Sequence, residues 1–345
     1  MSEPLSLPAN ENRVAWVDYS KGICILLVVM MHSTLGYGEL VHDTGWMHAG
    51  VAWAKPFRMP DFFMLAGLFL NLSIFGSKID YLDRKVLHFA YFYILWLAIQ
   101  TFVFEAGTLL HDPVTFFKIF LKALIIPESS LWFIHALAVF YIITWLIRFV
   151  PTYYTFAVAA GLQVLHSTGM IDTGWSVTNR FMEWYVFFFV GYAGSKYIFD
   201  FAKWAASNRR IAIGLVIGWA VVNTLFIALN IADLPGVSLL LGFAGALAIV
   251  TIGVFLTGQN WAEFLRHAGK YSIVIYLTFF LPMKILQKVL ANSQIIPDVG
   301  LASLIVFIFA SASPLIFHAL IRHTHFNALY VRPGFARLKG AKRSV

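Results

Sequence analysis

One cysteine, Cys24, is all that 345 residues contain, which excludes an intrachain disulfide and any metal site built from several thiolates. Charge is scarce too: 12% of the residues are Asp, Glu, Lys or Arg, about half the ~25% usual in soluble proteins. There is no stretch polar enough to make a soluble domain, no low-complexity segment and no repeat with a period of about 20–50 residues. The amino terminus has neither the short apolar core nor the small-residue cleavage site of a secretory signal, so the first apolar segment is expected to stay as a transmembrane helix. What fills the space is hydrophobic. Apolar residues make up 60% of the chain and mean hydropathy is +0.76. Apolar runs long enough to span a bilayer recur along its whole length, which predicts an all-α, polytopic membrane protein.

Ten spans are expected, at about 17–37, 50–74, 86–106, 131–149, 153–169, 181–198, 211–231, 237–257, 271–291 and 299–320. Lys and Arg collect on alternate connections: Lys78, Arg84 and Lys85; Lys196, Lys203, Arg209 and Arg210; Arg266 and Lys270; and the segment after His318. The positive-inside rule then places both termini in the cytoplasm, with 321–345 a basic tail of one integral-membrane domain covering 1–345. The net charge of +8 follows this orientation pattern rather than a basic face interleaved with aromatics, so no nucleic-acid partner is expected. Segment 107–130, with Lys118 and Lys122 in FFKIFLKALII, reads as an amphipathic helix in the interface. Gly214 and Gly218 form a GxxxG pattern expected to serve close helix packing.

Against this background the polar residues inside spans stand out. His32 is the one ionisable group between Gly22 and Gly36 and lies about 16 Å along the helix from Lys21, near the bilayer midplane. In the second span, KPFRMPDFF places Arg58 and Asp61 about 13 and 18 Å below the outer end, beside Pro56 and Pro60, which break the backbone ladder. A buried cavity between the first two helices accounts for all three residues; an Arg58–Asp61 pair neutralising itself at i, i+3 accounts for the charges alone. Trp132 and His135 share a face one turn inside the outer end of the fourth span, and Arg180 and Glu183 cluster near the outer end of the sixth. Lys284 and Lys288 are expected to snorkel.

The blocks RVAWVDYSKGICILLVVMMH, FRMPDFFMLAGLFL, SLWFIHALAVFYI and GKYSIVIYLTFFLPM resemble, in this order, those of the membrane-bound acyltransferase-3 family, and most nearly its fucose O-acetylase-like sugar acetyltransferases. Thr278 and Phe279 stand where the family commonly has a histidine. The resemblance implies about ten transmembrane helices in a bacterial inner membrane. It also implies transfer of an acyl group, acetyl foremost, from acetyl-CoA or another acyl-CoA to a hydroxyl of an extracytoplasmic glycan or lipid-linked sugar, without a metal. His32 matches the essential histidine, Arg13 or Lys21 the basic lead-in, Arg58 the second block, Arg84 the basic turn before helix three and Trp132 the LWF block.

The chemistry fits these residue types. His32 is expected to take the acceptor proton, Arg58 to stabilise the oxyanion and Asp61 to orient His32. Asp18, about 21 Å from His32 along the helix, is assigned with Arg13, Lys21, Arg84 and Lys85 to a cytoplasmic CoA mouth. Trp132, His135 and Glu183 are expected to bind the acceptor. The rival reading is a secondary transporter of glycan or lipid intermediates, since broken helices and midplane charges also occur there. A glucan succinyltransferase is the rival within the family.

Overall fold

The computed structural model describes residues 14–127 and 129–338. Arg13 and the last residues of the basic tail lie outside this range. Among the described residues the regular structure is entirely helical. Helices stand at all ten expected positions. They are α1 (Ala15–Val41), α2 (Met47–Gly67), α3 (Lys78–Tyr81) running through a π-helical segment (Leu82–Leu87) into α4 (His88–Phe104), α7 (Trp132–Leu146), α8 (Thr152–Ser167), α9 (Ser176–Ala193), α11 (Arg209–Ala228), α12 (Val237–Leu256), the pair α14 (Ser272–Thr278) and α15 (Phe280–Ser293), and α16 (Val299–Ile321). Short helices fill the connections: α5 (Ala106–His111), α6 (Pro113–Ile125), α10 (Ser195–Ser207) and α13 (Glu263–Lys270). Among the described residues five helices, α1, the continuous Lys78–Phe104, α11, α12 and α16, are long and apolar enough to cross a membrane by themselves, and α14–α15 makes a sixth if the bent pair is one span. These helices mark the chain as an integral membrane protein.

Helix α1 is the hub and packs on α2, α12, α13, α15 and α16. Glycine permits the closest of these approaches. A Cβ on Gly269 would stand 1.7 Å from the Asp18 carbonyl, and one on Gly22 would stand 2.0 Å from that of Leu265, so α13 lies directly on the start of α1. Gly191 and Gly67 do the same for α9 and α2, at 2.0 Å from the Met64 carbonyl and 2.2 Å from that of Phe188. The expected packing at Gly214 and Gly218 is not found within the chain. A Cβ at either meets nothing, because α11 buries only Ala212 and Asn223.

Three departures from regular helix lie near the centre. Pro56 and Pro60 sit inside α2 and remove backbone bonds to the carbonyls of Ala52 and Pro56. The π segment carries Arg84 and Lys85, and such bulges occur often at functional sites. The ninth expected span is not one helix but two, bent by 49° at Phe279. Segment 107–130 contains α6, capped by the Asp112 carboxylate accepting from the Thr115 amide at 3.0 Å. That bond and one from the Thr115 hydroxyl hold the Asp112 carboxyl below the usual range. Only Phe116 of α6 is buried, while Val114, Phe117, Leu121 and Ile125 are exposed.

The chain after α16 is not a free tail as far as Leu338. Tyr91 and Trp96 of α4 donate to the carbonyls of Ala328 and Leu329, at 3.0 Å each. The Thr278 and Tyr330 hydroxyls are bonded, and Arg332 is buried in an ion pair with Asp83. Residues 328–332 thereby tie α4 to α14.

Candidate active site

Two cavities meet in the middle of the bundle. The first, about 330 Å³, is lined by His32 of α1, Arg58 and Met59 of α2, Trp132 of α7, and Arg180, Glu183 and Trp184 of α9. His32 is held from behind. Its ring packs on Phe279 at 5.5 Å and Phe280 at 6.3 Å, at the bend between α14 and α15. Gln287 donates to the carbonyls of His32 and Ser33 at 3.1 Å each, which pins the backbone of α1 at that point. Arg58 is 7% exposed, and its Nε and Nη1 have no hydrogen-bond partner among the described residues. A buried guanidinium with unused donors is costly unless something in the cavity accepts from it. Arg180 is already engaged: its guanidinium lies 4.8 Å from the Trp132 ring centre and donates to the Pro127 carbonyl. A second compartment of about 390 Å³ continues past Arg58, Glu183 and Trp184 to His166 and to the Lys55–Asp233 ion pair, 2.6 Å and exposed.

The other cavity, about 230 Å³, opens toward the basic end of α1. Lys21 and Lys85 line it together with Phe89, Tyr141 and Ser272. The Lys85 ammonium lies 5.3 Å from the Tyr141 ring centre. Phe62, Phe133 and Tyr276 belong to the walls of both cavities.

The structure brings His32, Arg58, Trp132 and Glu183 into one cavity, and Lys21 and Lys85 into the other. Asp61 joins neither. It is 1% exposed, and neither carboxyl oxygen has a hydrogen-bond partner among the described residues, so the expected orienting bond to His32 and the self-neutralising pair with Arg58 are both absent. Three residues advance a helix by about 300°. The long Arg58 side chain reaches the cavity, while the short Asp61 is buried within electrostatic range of Cys24. His135 also departs from the cavity: its ring lies 5.1 Å from that of Tyr93, off the face that Trp132 presents. Arg84 is exposed on the surface beside Lys85, and Asp18 is buried under α13.

The aromatic wall, the Phe279 bend and Gln287 were not singled out by sequence. Phe62 and Tyr276 lie among many aromatics of equal hydropathy, and only the pairing of distant helices distinguishes them. Among the described residues no group of three or more His, Cys, Asp or Glu side chains is arranged to hold a metal. No curated protein and no solved structure matches the chain. The model of the acyltransferase-3 family, described as an acyltransferase domain, matches residues 14–323, a stretch that includes every residue lining the two cavities. The chain therefore belongs to the acyltransferase-3 family and is an acyltransferase.

Proposed function

We propose that this enzyme transfers an acyl group, acetyl foremost, from acyl-CoA on the cytoplasmic side of a bacterial inner membrane to a hydroxyl of an extracytoplasmic sugar or polysaccharide, as in the fucose O-acetylase-like branch. The observation that carries this reading is the shared cavity of His32 and Arg58, separated by one aromatic wall from a second cavity bearing Lys21 and Lys85. The inner cavity suits a CoA donor: two ammonium groups face anionic phosphates, and its apolar walls suit the pantetheine arm. Both termini are then cytoplasmic, as the charge pattern favours.

In the outer cavity, His32 accepts the proton of the acceptor hydroxyl as its oxygen attacks the thioester carbonyl. Arg58 donates its unused N–H groups to the oxyanion that forms. The carbon–sulfur bond then breaks. The CoA thiolate leaves and takes up the proton from the His32 imidazolium, so one ester and one free thiol replace the thioester and hydroxyl. Trp132, Trp184 and Glu183 line the side from which the acceptor arrives.

The bent α14–α15 pair is also a transporter feature, and turnover separates the two functions. The purified enzyme given acetyl-CoA and delipidated cell-surface glycan should release free CoA thiol, and the glycan should gain acetyl units by mass spectrometry. The His32→Ala protein should do neither. Thiol release that is absent with acetyl-CoA and succinyl-CoA alike overturns the reading; release with succinyl-CoA alone moves it to succinyl transfer.

A further inference from the structure

The wall between the two cavities has a property that the reaction does not require. We infer that Phe62 and Phe133 are specificity-determining residues that limit the donor's acyl group to a short chain. The inference rests on the acyl-CoA reading above. Among the described residues, Phe62, Phe133 and Tyr276 are the only ones common to the linings of the two cavities, so a thioester carbonyl that comes from the Lys21–Lys85 side must pass these rings to reach His32. The three are not held alike. Tyr276 is bonded twice: its hydroxyl donates to the Ser130 carbonyl at 2.6 Å and accepts from the Phe133 amide at 3.2 Å. Its ring is thereby fixed to the start of α7.

Phe62 and Phe133 have no side-chain hydrogen bond and are held by apolar packing, which includes the edge of the Tyr276 ring at 5.7 Å from Phe133. They stack at 4.7 Å with planes 9° apart, and Phe133 also meets Phe63 at 4.6 Å. Phe62 follows Pro60 by two residues, in the turn of α2 that lacks its backbone bond to Pro56. The stacked pair is therefore the part of the wall that gives way. Space beyond it is shared with the acceptor, and Val28 and Met59 close the sides next to His32. Acetyl, with a single carbon beyond the carbonyl, demands the least displacement of the rings. Each added methylene needs room that the Phe62 ring occupies, and a tight apolar pocket discriminates about tenfold or more per methylene.

The test is titration calorimetry of the full chain in lipid nanodiscs with acetyl-CoA, butyryl-CoA and hexanoyl-CoA, with protein-free nanodiscs to subtract partitioning. Wild type should bind acetyl-CoA at least about tenfold more tightly than hexanoyl-CoA. Phe62→Ala and Phe133→Ala should shrink that ratio at least about fivefold, whatever the change in acetyl-CoA affinity itself. Phe62→Leu serves if the alanine variant does not fold. Phe189→Leu, a buried aromatic whose ring partners Tyr185 and Tyr192 line neither cavity, should leave the ratio as in wild type. A wild type indifferent to chain length, or a ratio unmoved in folded Phe62 and Phe133 variants, overturns the inference and leaves the acyl-CoA reading standing. A wild type that binds none of the three thioesters overturns both.

Discussion

The two cavities differ in how their charges are mixed more than in their size. The inner one carries two ammonium groups, Lys21 and Lys85, and no carboxylate among its lining residues. The outer one sets Arg58 and Arg180 against Glu183, with His32 between apolar side chains. A wall of one sign attracts an anion from a distance without dictating its orientation. Mixed donors and acceptors in a confined space do the reverse: they orient a neutral hydroxyl group and stabilise charge only where it develops. The contrast teaches where to look for chemistry in a membrane protein with many cations. On the proposed reading the reacting groups are in the cavity with both signs, and the side with the denser positive charge serves recognition of the donor.

The sharpest way to break this comparison is at His32. His32→Ala should lower kcat for acyl transfer by about 10²–10⁴ at unchanged protein level, as expected for loss of a general base. Donor binding should survive, because His32 does not line the inner cavity. Near-normal turnover in a folded His32→Ala protein would falsify the division of labour. Arg58→Gln comes next, with kcat expected to fall about 10²–10³ and the KM for acetyl-CoA unchanged, the pattern for a lost oxyanion donor. A raised KM for acceptor with kcat intact would instead make Arg58 a binding residue.

How much of this was legible in the sequence follows from what each signal measures. Hydropathy and the Lys/Arg alternation located the ten helical segments, because burial in lipid acts on each segment separately. Depth along a helix placed His32 and Arg58 level with each other, and the prolines marked α2 as the broken partner. Depth says nothing about azimuth. Asp61 is at nearly the level of Arg58, which alone would set it beside His32, yet its carboxyl bonds to neither residue. His135 failed in the same way, turning to Tyr93 while Trp132 lines the cavity. Arg84 and Lys85 are neighbours in sequence and equal in charge. The π segment that contains both leaves Lys85 on the cavity and Arg84 at the surface. The bend at Phe279 does have a mark in the sequence that hydropathy passes over: Pro282 has no N–H to give the Thr278 carbonyl, so the backbone ladder is broken where α14 ends.

The separation of Arg84 from Lys85 sharpens the comparison on the inner side. Lys85→Ala should raise the KM for acetyl-CoA about tenfold with kcat nearly constant, because the ammonium binds donor equally in ground and transition states. Arg84→Ala should change KM by about twofold, since an exposed charge acts through screened solvent. Reversal of that order would move the donor from the cavity to the surface beside it.

The smallest effect is expected at His135, and it tests where the outer cavity ends. The ring lies 5.1 Å from Tyr93, whose hydroxyl donates to the Ala123 carbonyl, so its surroundings are the contacts between α7, α4 and α6. His135→Ala removes one ring–ring contact, typically about 0.5–1.5 kcal/mol. Thermal stability should fall modestly while kcat and both KM values stay within about twofold of wild type. Trp132→Ala, three residues earlier on the same helix, removes a cavity wall and the ring under Arg180, so it should raise the acceptor KM several-fold. Measured together, the two variants separate level from azimuth on α7. If His135→Ala lost more than a hundredfold in kcat while Trp132→Ala lost little, acceptor and proton transfer would belong on the Tyr93 side, and the cavity of His32 and Arg58 would lose its claim to the reaction.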